Sequence, residues 1–466
     1  MQKKFILVMT ILTALLLAVS MPALAGKMDK MIVAVEDGGG KIYFVPNVNA
    51  VPLNFSDYPE AFDSGVLAWD QDIIDVDKLP SEATGEGVYV AVLDTGLRSN
   101  WRDYFPEERI AANLGRGFTD NGIMQDAAAG KYTPNIVESS NFIGTNSHGT
   151  HVTSTVIGYS FYGTPIVGVA PRATIIPVKV LTNYPALHAT FGTDAAVAAG
   201  IEYVGDLATA MPDSRFVINM SLGALQEISQ IEADAIDYAI DAGVIIVASA
   251  GNEGTDGMGS PGSYAPVISV GSTGWAFDPD TCTGEWAVVV LPNCTIFNSS
   301  FWNDDVPENV SADISYVSEF SSREYPGGPG LGDSDQELDV LAPGSWVVGP
   351  YPAGIGQSHL PWWSNGKGNG VAGQYYFLGG TSMASPHVAG IAALMVQADP
   401  SLVQADVEAM LRTTADLIPA PWGQPVVNMD FVEPPDPFFN FITWDVDAVG
   451  FGLVQADAAV AAASTP

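Results

Sequence analysis

Short apolar runs alternate with longer stretches of helical pattern from about residue 85 onwards. The runs are continuously apolar rather than alternating with polar residues, which is typical of strands buried on both faces of a parallel sheet. They predict strands at Val88–Leu93, Thr174–Val180, Phe216–Met220, Val244–Ala248 and Val267–Val270.

The stretches between these strands have the spacing and end residues of helices. Thr193 can cap one helix at its start, and Gly243 can end another. Strand–helix alternation implies right-handed crossover connections, with a layer of helices packed on each side of a sheet. The predicted fold class is therefore α/β, a three-layer sandwich with a mainly parallel central sheet flanked by helices. The predicted helices cover residues 193 to about 204, 226–241, 382–397 and 404–414.

The first 25 residues have the pattern of a secretory signal peptide. Lys3 and Lys4 precede an apolar run, Phe5–Ser20, and Ala23-Leu24-Ala25 forms a small-residue cleavage site before Gly26. An uncleaved membrane anchor is the alternative, but the run is short for a bilayer span. The sequence therefore predicts a secreted, extracellular protein with no membrane association after cleavage.

The remaining chain divides into a short segment and one large domain. Residues 26–60 are interpreted as a short pro-segment and residues 61–466 as one large domain. Residues 275–320 break the strand–helix rhythm and are interpreted as a surface insertion, either solvated decoration or part of a substrate rim. Export would allow Cys282 and Cys294 in this insertion to form a disulfide, with two free thiols as the alternative.

Composition narrows the function classes. The chain has 466 residues, of which 47% are hydrophobic, so it can bury a substantial core. Its 53 acidic and 17 basic residues give a net charge of −36, which excludes the basic footprint of nucleic-acid binding. Only two cysteines are present, too few for a disulfide-dense scaffold.

Two polar segments follow or interrupt the apolar pattern in the first half of the domain. The strand Val88–Leu93 delivers Asp94 at its carboxyl end, where sites form in open α/β sheets. An aspartic-protease interpretation of Asp94-Thr95-Gly96 would need a second triplet in another lobe, and Asp63-Ser64-Gly65 lies too close.

The second segment contains His148 and His151. A metal pair is the alternative here, but no acidic residue separates them as in zinc peptidases.

Two further segments lie in the second half. Asn252 follows the predicted strand Val244–Ala248 in a glycine-flanked turn, where its amide can donate into a cleft or simply form the turn. Ser382 follows Gly379-Gly380 at a predicted helix start. Free N–H groups and the positive end of the helix dipole favour a developing oxyanion there. A simple N-cap role for Ser382 does not explain the glycine pair.

Together these four segments resemble the subtilisin-like serine proteases, in that family's order along the chain. The resemblance covers roughly residues 60–466 and is closest around Ser382. It implies peptide-bond hydrolysis with Ser382 as nucleophile, His148 as general base, Asp94 as the residue that orients it and Asn252 as an oxyanion donor. Met220 and the three residues after it, Ser221, Leu222 and Gly223, are similar to the strand that pairs with substrate. Residues 449–460 are similar to the family's closing segment.

The sequence departs from the family pattern at the places that would bind calcium. The loop Tyr159–Gly163 lacks the family's usual asparagines, whereas Asp103 matches a calcium carboxylate. We therefore expect no cofactor for the chemistry and treat structural calcium at Asp103 as an open prediction, with a solvated acid as the alternative.

Two other function classes stay open at this point. One is a degenerate relative that binds proteins without cleaving them, and the other is an esterase or peptide ligase on the same scaffold. The main prediction is a monomeric endopeptidase acting on protein or peptide substrates. Because main-chain pairing tolerates many sequences, we expect broad specificity.

Overall fold

In this computed structural model of the protein, the backbone is described at residues 31–35 and 42–46. The other described residues are 65, 67–122, 133–161, 163–184, 189–275, 315–318, 320–324, 336–345, 347–352, 375–418 and 444–465. The proposed signal peptide, most of the pro-segment, Cys282, Cys294 and most of the 275–320 insertion lie outside these residues. The expectations about them stay predictions.

The strands in chain order are β1 (Met31–Val35), β2 (Ile42–Pro46), β3 (Val88–Asp94), β4 (Arg116–Asp120), β5 (Ile136–Ser139), β6 (Tyr159–Phe161), β7 (Thr164–Ile166), β8 (Thr174–Lys179), β9 (Thr182–Tyr184), β10 (Ala189–Phe191), β11 (Arg215–Met220), β12 (Ile245–Ser249), β13 (Ile268–Trp275), β14 (Ser315–Val317), β15 (Val340–Pro343), β16 (Val347–Pro350) and β17 (Tyr375–Leu378). The α-helices are α1 (Trp69–Asp72), α2 (His148–Ile157), α3 (Asp194–Ala210), α4 (Gln230–Asp241), α5 (Thr381–Ala398), α6 (Gln404–Thr414) and α7 (Ala456–Ala463).

Nine of these strands form one central sheet within the described part of the chain. Their order is β14-β13-β12-β11-β3-β8-β4-β5, and β15 also pairs with β13. The pairings from β13 through β4 are parallel, as is that of β15 with β13, whereas β14 and β5 are antiparallel edge strands. All five predicted strands lie in the parallel part of this sheet.

Helices cover both faces of the sheet. In β3, Val90 and Val92 face one core, and Ala91 and Leu93 face the other. The first core includes residues of α2, α5, α6 and α7, and the second includes residues of α3 and α4. A continuously apolar strand fills both cores because successive side chains point to opposite faces. The predicted three-layer α/β sandwich is thereby confirmed.

The predicted helices occur, with one shifted start. Thr193 caps α3, accepting a hydrogen bond from Ala196 N at 3.2 Å. The predicted helix 226–241 begins only at Gln230, because Ala224 is held in a bridge with Ser260. Gly243 follows its end with φ of +86°, the left-handed conformation that glycine favours.

The two edge strands were not anticipated from the sequence. β14 pairs with the last residues of β13, Thr273 opposite Val317, so the two ends of the predicted insertion lie side by side. β5 pairs with β4 and leaves Val137 exposed. Across the described ranges, no helix has both the length and the apolar character required to cross a bilayer.

Glu232 provides a stability prediction within this fold. It is only 3% exposed in the first turn of α4, and burial together with the charge of Asp194 raises its pKa to about 8. The folded state therefore binds this proton more tightly than the unfolded chain, whose carboxyl has a pKa of 4.5. Its contribution to stability is present below pH 4.5 and is lost as the pH rises to about 8.

We expect Glu232→Gln to match the parent protein near pH 4.5 and to be the more stable of the two at pH 9. The gain should reach at least about 1.4 kcal/mol, the equivalent of one pKa unit. Urea unfolding at both pH values measures it. Glu227→Gln makes the same charge change at an exposed position, and an equal gain there would contradict the burial argument.

Candidate active site

The four candidate segments meet at one edge of the central sheet. β3 ends at Asp94, Ser221 directly follows β11, and Asn252 lies three residues beyond the end of β12. Parallel neighbouring strands bring their carboxyl ends to the same edge. The helix α5, which begins at Thr381, packs against these strands and against α2, which begins at His148.

Asp94 and His148 form a close pair in which Asp94 is buried and the His148 side chain is 25% exposed. Nδ1 of His148 lies 2.9 Å from Oδ1 and 2.8 Å from Oδ2 of Asp94. Asp94 is fully buried, and Thr95 N donates to its Oδ1 at 2.6 Å. Since a carboxylate can only accept, Nδ1 of His148 donates, and Nε2 of the neutral ring is left as an acceptor. The imidazole is therefore held in the tautomer that a general base requires.

Gly149 permits this pairing. A Cβ at Gly149 would lie 2.7 Å from Gly96 O and 3.1 Å from the Cβ of Asp94. These contacts show that glycine is required here because the first turn of α2 lies directly on the Asp94 turn.

The pKa of His148 reflects two opposing effects. Burial lowers it, but attraction to the Asp94 charge and the hydrogen bond to Asp94 together outweigh burial, and the net pKa lies above the ordinary 6.5. A raised pKa stabilises the protonated ring that forms when a base accepts a proton. The His148 ring can therefore hold a proton on Nε2 more readily than a free imidazole.

Ser382 is joined by two hydrogen bonds to Ser221, whose strand is the sheet neighbour of the Asp94 strand. Asn219 is opposite Val92 in the β11–β3 register, so Ser221 and Asp94, each two residues later, come out next to each other. Ser382 Oγ donates to Ser221 O at 3.3 Å, and Ser221 Oγ donates to Ser382 O at 2.7 Å. Proton transfer to His148 would require this hydroxyl to leave Ser221 O, and catalytic hydrogen bonds often form only in the substrate complex.

Asn252 is held in one orientation by the start of α5. Its Oδ1 accepts from Thr381 N at 2.9 Å and lies 3.1 Å from Thr381 Oγ1. The amide nitrogen is therefore directed away from Thr381, on a side chain that is solvent-exposed. Together with the N–H of Ser382 in the first helical turn, it can form a pair of donors for an oxyanion.

Thr381 was not singled out from the sequence, although it orients the Asn252 amide. Thr381 is fully buried, and Gly251 N also donates to its hydroxyl at 3.2 Å. The available sequence evidence was its position, a polar residue between Gly379-Gly380 and Ser382.

The residues expected to pair with substrate lie along the edge beyond β11. Leu222 is partly buried against the α3–α4 core, and Gly223 is exposed. Ala224 and Ser260 then form an antiparallel bridge, with two backbone hydrogen bonds at 3.0 and 2.9 Å. This bridge fixes the path of the chain at Ser221–Gly223, which is where a substrate strand would lie.

His151 does not join His148. It is fully buried, and its Nε2 lies 3.1 Å from Val347 O, whereas His148 faces Asp94. Over the described residues there is no group of three His, Cys, Asp or Glu arranged to hold a metal. The contacts therefore give no support to a metal pair of His148 and His151.

Asp103 is an exposed residue at the end of a short 3₁₀ helix, Trp101–Asp103. Its Oδ2 accepts from Asn100 Nδ2 at 3.1 Å, so an amide nitrogen faces it instead of a second oxygen ligand. Calcium prefers six to eight oxygen ligands. The described surroundings of Asp103 do not fit such a site, and no step below depends on calcium.

Comparison with known proteins shows the family of this chain. The model of the subtilase family matches residues 85–436. Thermitase of Thermoactinomyces vulgaris is 29% identical over 338 residues, covering 72% of this chain and 84% of that protein. Subtilisin DY of Bacillus licheniformis is 30% identical over 348 residues, covering 74% of this chain and 89% of that protein.

A solved structure adds evidence for the fold. Fervidolysin from Fervidobacterium pennivorans, a keratinolytic enzyme related to subtilisin, superposes with a TM-score of 0.53 at 24% identity. The match covers 84% of this chain and 45% of that chain, and at this identity it concerns the fold alone. The sequence comparisons extend over most of the domain, so the chain belongs to the subtilase family of serine endopeptidases.

Proposed function

We propose that this chain is a secreted endopeptidase that cleaves peptide bonds with Asp94, His148 and Ser382 as a catalytic triad. The observation that supports it most is the contact of His148 Nδ1 with both oxygens of the buried Asp94 carboxylate. Ser382, at a helix start, is hydrogen-bonded to Ser221 on the neighbouring strand. The proposed steps use side chains, the backbone N–H group of Ser382 and water.

In the first step, His148 Nε2 removes the Ser382 proton while Oγ forms a bond to the substrate carbonyl carbon. The carbonyl electrons move to oxygen, where Asn252 Nδ2 and Ser382 N–H donate. The amide C–N bond then breaks, and His148 gives its proton to the leaving amine. Water, deprotonated by the same imidazole, releases the acyl group and restores Ser382.

Substrate would bind as an extended chain along Ser221–Gly223. Main-chain hydrogen bonds at this edge make few demands on side chains, so we propose broad specificity for proteins and peptides. Export is proposed from the basic, apolar and small-residue pattern of residues 1–25. The mature N-terminus, determined by mass spectrometry of the protein from culture medium, tests this. A mature protein beginning before residue 26 would contradict it.

Fluorophosphonate labelling followed by peptide mapping tests the nucleophile. We expect the label on Ser382 and cleavage of casein by the unlabelled enzyme. Hydrolysis of simple esters without casein cleavage would instead indicate an esterase. An unlabelled Ser382 in the folded protein would indicate a binding protein without activity.

Asn252 gives a quantitative prediction for the oxyanion donor. Asn252→Ala should lower kcat by about 100- to 1000-fold, a magnitude carried over from subtilisin, with KM nearly unchanged. Asn252→Asp separates the donor from the Thr381 contact, because it keeps the acceptor for Thr381 N and loses the N–H group. We expect it to lose at least as much activity as the alanine variant. A nearly normal kcat for Asn252→Asp would assign the effect to the Thr381 contact.

A further inference from the structure

Asn219 is a buried amide in the middle of the central sheet. It is fully buried in β11, and its register neighbours Val92 and Val247 on the two flanking strands are apolar. An amide in such a place is costly unless its donors and acceptor find partners. Its hydrogen bonds therefore indicate what it does.

Those hydrogen bonds lead to the proposed nucleophile. Ser385 Oγ donates to Asn219 Oδ1 at 2.7 Å, and Asn219 Nδ2 donates to Ser221 Oγ at 2.9 Å. Ser221 Oγ then donates to Ser382 O at 2.7 Å. This series of hydrogen bonds begins at Ser385 and ends at Ser382, both in the first two turns of α5, and passes through Asn219 of β11 between them.

The donor and acceptor groups fix the direction of these hydrogen bonds. A carbonyl oxygen has no hydrogen, so the single Ser221 proton must go to Ser382 O. Ser221 Oγ must then accept, which orients the Asn219 amide nitrogen towards it and its oxygen towards Ser385. Successive donors that point the same way strengthen one another.

Pro386 explains why Ser382 O needs this partner. In an α-helix the carbonyl of residue 382 would accept from the N–H of residue 386, but proline has no N–H. The Ser221 hydroxyl supplies the missing donor. The carbonyl of the proposed nucleophile is therefore held by a side chain of the substrate-facing edge instead of by its own helix.

We infer that Asn219 is a positioning residue that acts through Ser221 on the backbone of Ser382 and so sets where the nucleophilic oxygen lies. This inference rests on the proposed function of Ser382. Without Asn219, the Ser221 hydroxyl loses its donor and can turn away from Ser382 O. Misplacement of a reacting atom by about 1 Å costs about 100-fold in rate.

The test replaces buried amides in two places. Asn219→Leu removes the orienting amide, and Gln404→Leu is the matched control. Gln404 is also a buried amide that joins a helix to the sheet, bonding the N and O of Ile246 at 2.8 and 3.0 Å. We expect both variants to lose stability. Only Asn219→Leu should lose kcat on a peptide nitroanilide, by about 100-fold, with KM within about threefold, assayed well below each Tm.

Coupling to Ser221 distinguishes positioning from a merely structural role. Ser221→Ala leaves β11 intact and should show a similar loss of kcat. If Asn219→Leu does not fold, this variant still tests the hydrogen bond from the Ser221 hydroxyl to Ser382 O. The double variant should be no less active than Ser221→Ala alone, because Asn219 acts through that hydroxyl. Multiplied losses, or a wild-type kcat in Asn219→Leu, would overturn the inference.

Fluorophosphonate labelling separates this inference from the proposed function. If the wild-type protein is not labelled at Ser382, the proposed function itself fails, and the positioning role fails with it. If the wild-type protein is labelled and Asn219→Leu is labelled equally fast, only the positioning role of Asn219 fails. We expect a wild-type label on Ser382 and a labelling rate about 100-fold lower in Asn219→Leu.

Discussion

Ser382→Ala is expected to fold normally and to lose about 10⁶-fold in kcat, a magnitude carried over from subtilisin. The substitution removes the atom that forms the acyl bond, and donors at the oxyanion position alone provide only a small residual rate. His148→Ala should lose a similar amount. The double variant should be no worse than either, because the two residues carry out one step together.

Measurement of kcat on a peptide substrate, with Tm as the check on folding, decides this prediction. Ser401→Ala is the control, because Ser401 is an exposed serine just beyond α5 whose hydroxyl bonds only to Asp399 among the described residues. A Ser382→Ala variant that keeps more than about a hundredth of the wild-type rate would rule out Ser382 as the nucleophile.

Asp94→Asn is expected to lower kcat near neutral pH by about 10⁴-fold. The asparagine amide can donate to Nδ1, which leaves the proton on Nε2 and puts the ring in the wrong tautomer to accept from Ser382. The pH profile should change as well. In the wild-type enzyme kcat/KM rises with pH as His148 loses its proton, with a midpoint above 6.5 because Asp94 raises the pKa.

The variant lacks both contributions of Asp94 and keeps the burial that lowers the pKa of His148. Its residual kcat/KM should therefore reach a plateau at lower pH than that of the wild-type enzyme. Asp234→Asn makes the same charge change on the exposed side of α4 and should leave the profile unmoved. An unchanged midpoint in Asp94→Asn would contradict the role of the carboxylate in raising the pKa of His148.

The net charge of the chain had little value for predicting the location of the active site. A net charge of −36 excluded a basic nucleic-acid footprint but did not indicate where catalysis occurs. The functional groups come from a few local patterns, each weak alone. Their common order along the chain, rather than any one of them, identified the family.

Local sequence determined the parallel strands, the helix caps and the kind of chemistry. Continuous apolar runs such as β3 can be buried only between two helical layers, and Thr193 and Gly243 mark helix ends by their own hydrogen bonding and backbone freedom. Asp94 at a strand end and Ser382 at a helix start were likewise visible from their immediate neighbours.

Only the tertiary structure decided how these residues meet. The antiparallel edge strands depend on partners that local pattern does not specify. The bond from Ser385 to Asn219 joins residues 166 positions apart, and that from Ser221 to Ser382 joins residues 161 apart. Periodicity reports which side chains are buried, but a buried polar group is satisfied by whichever partner folding brings to it. For that reason the sequence identified the reacting groups, and the packing of α5 on β11 determined how the nucleophile is held.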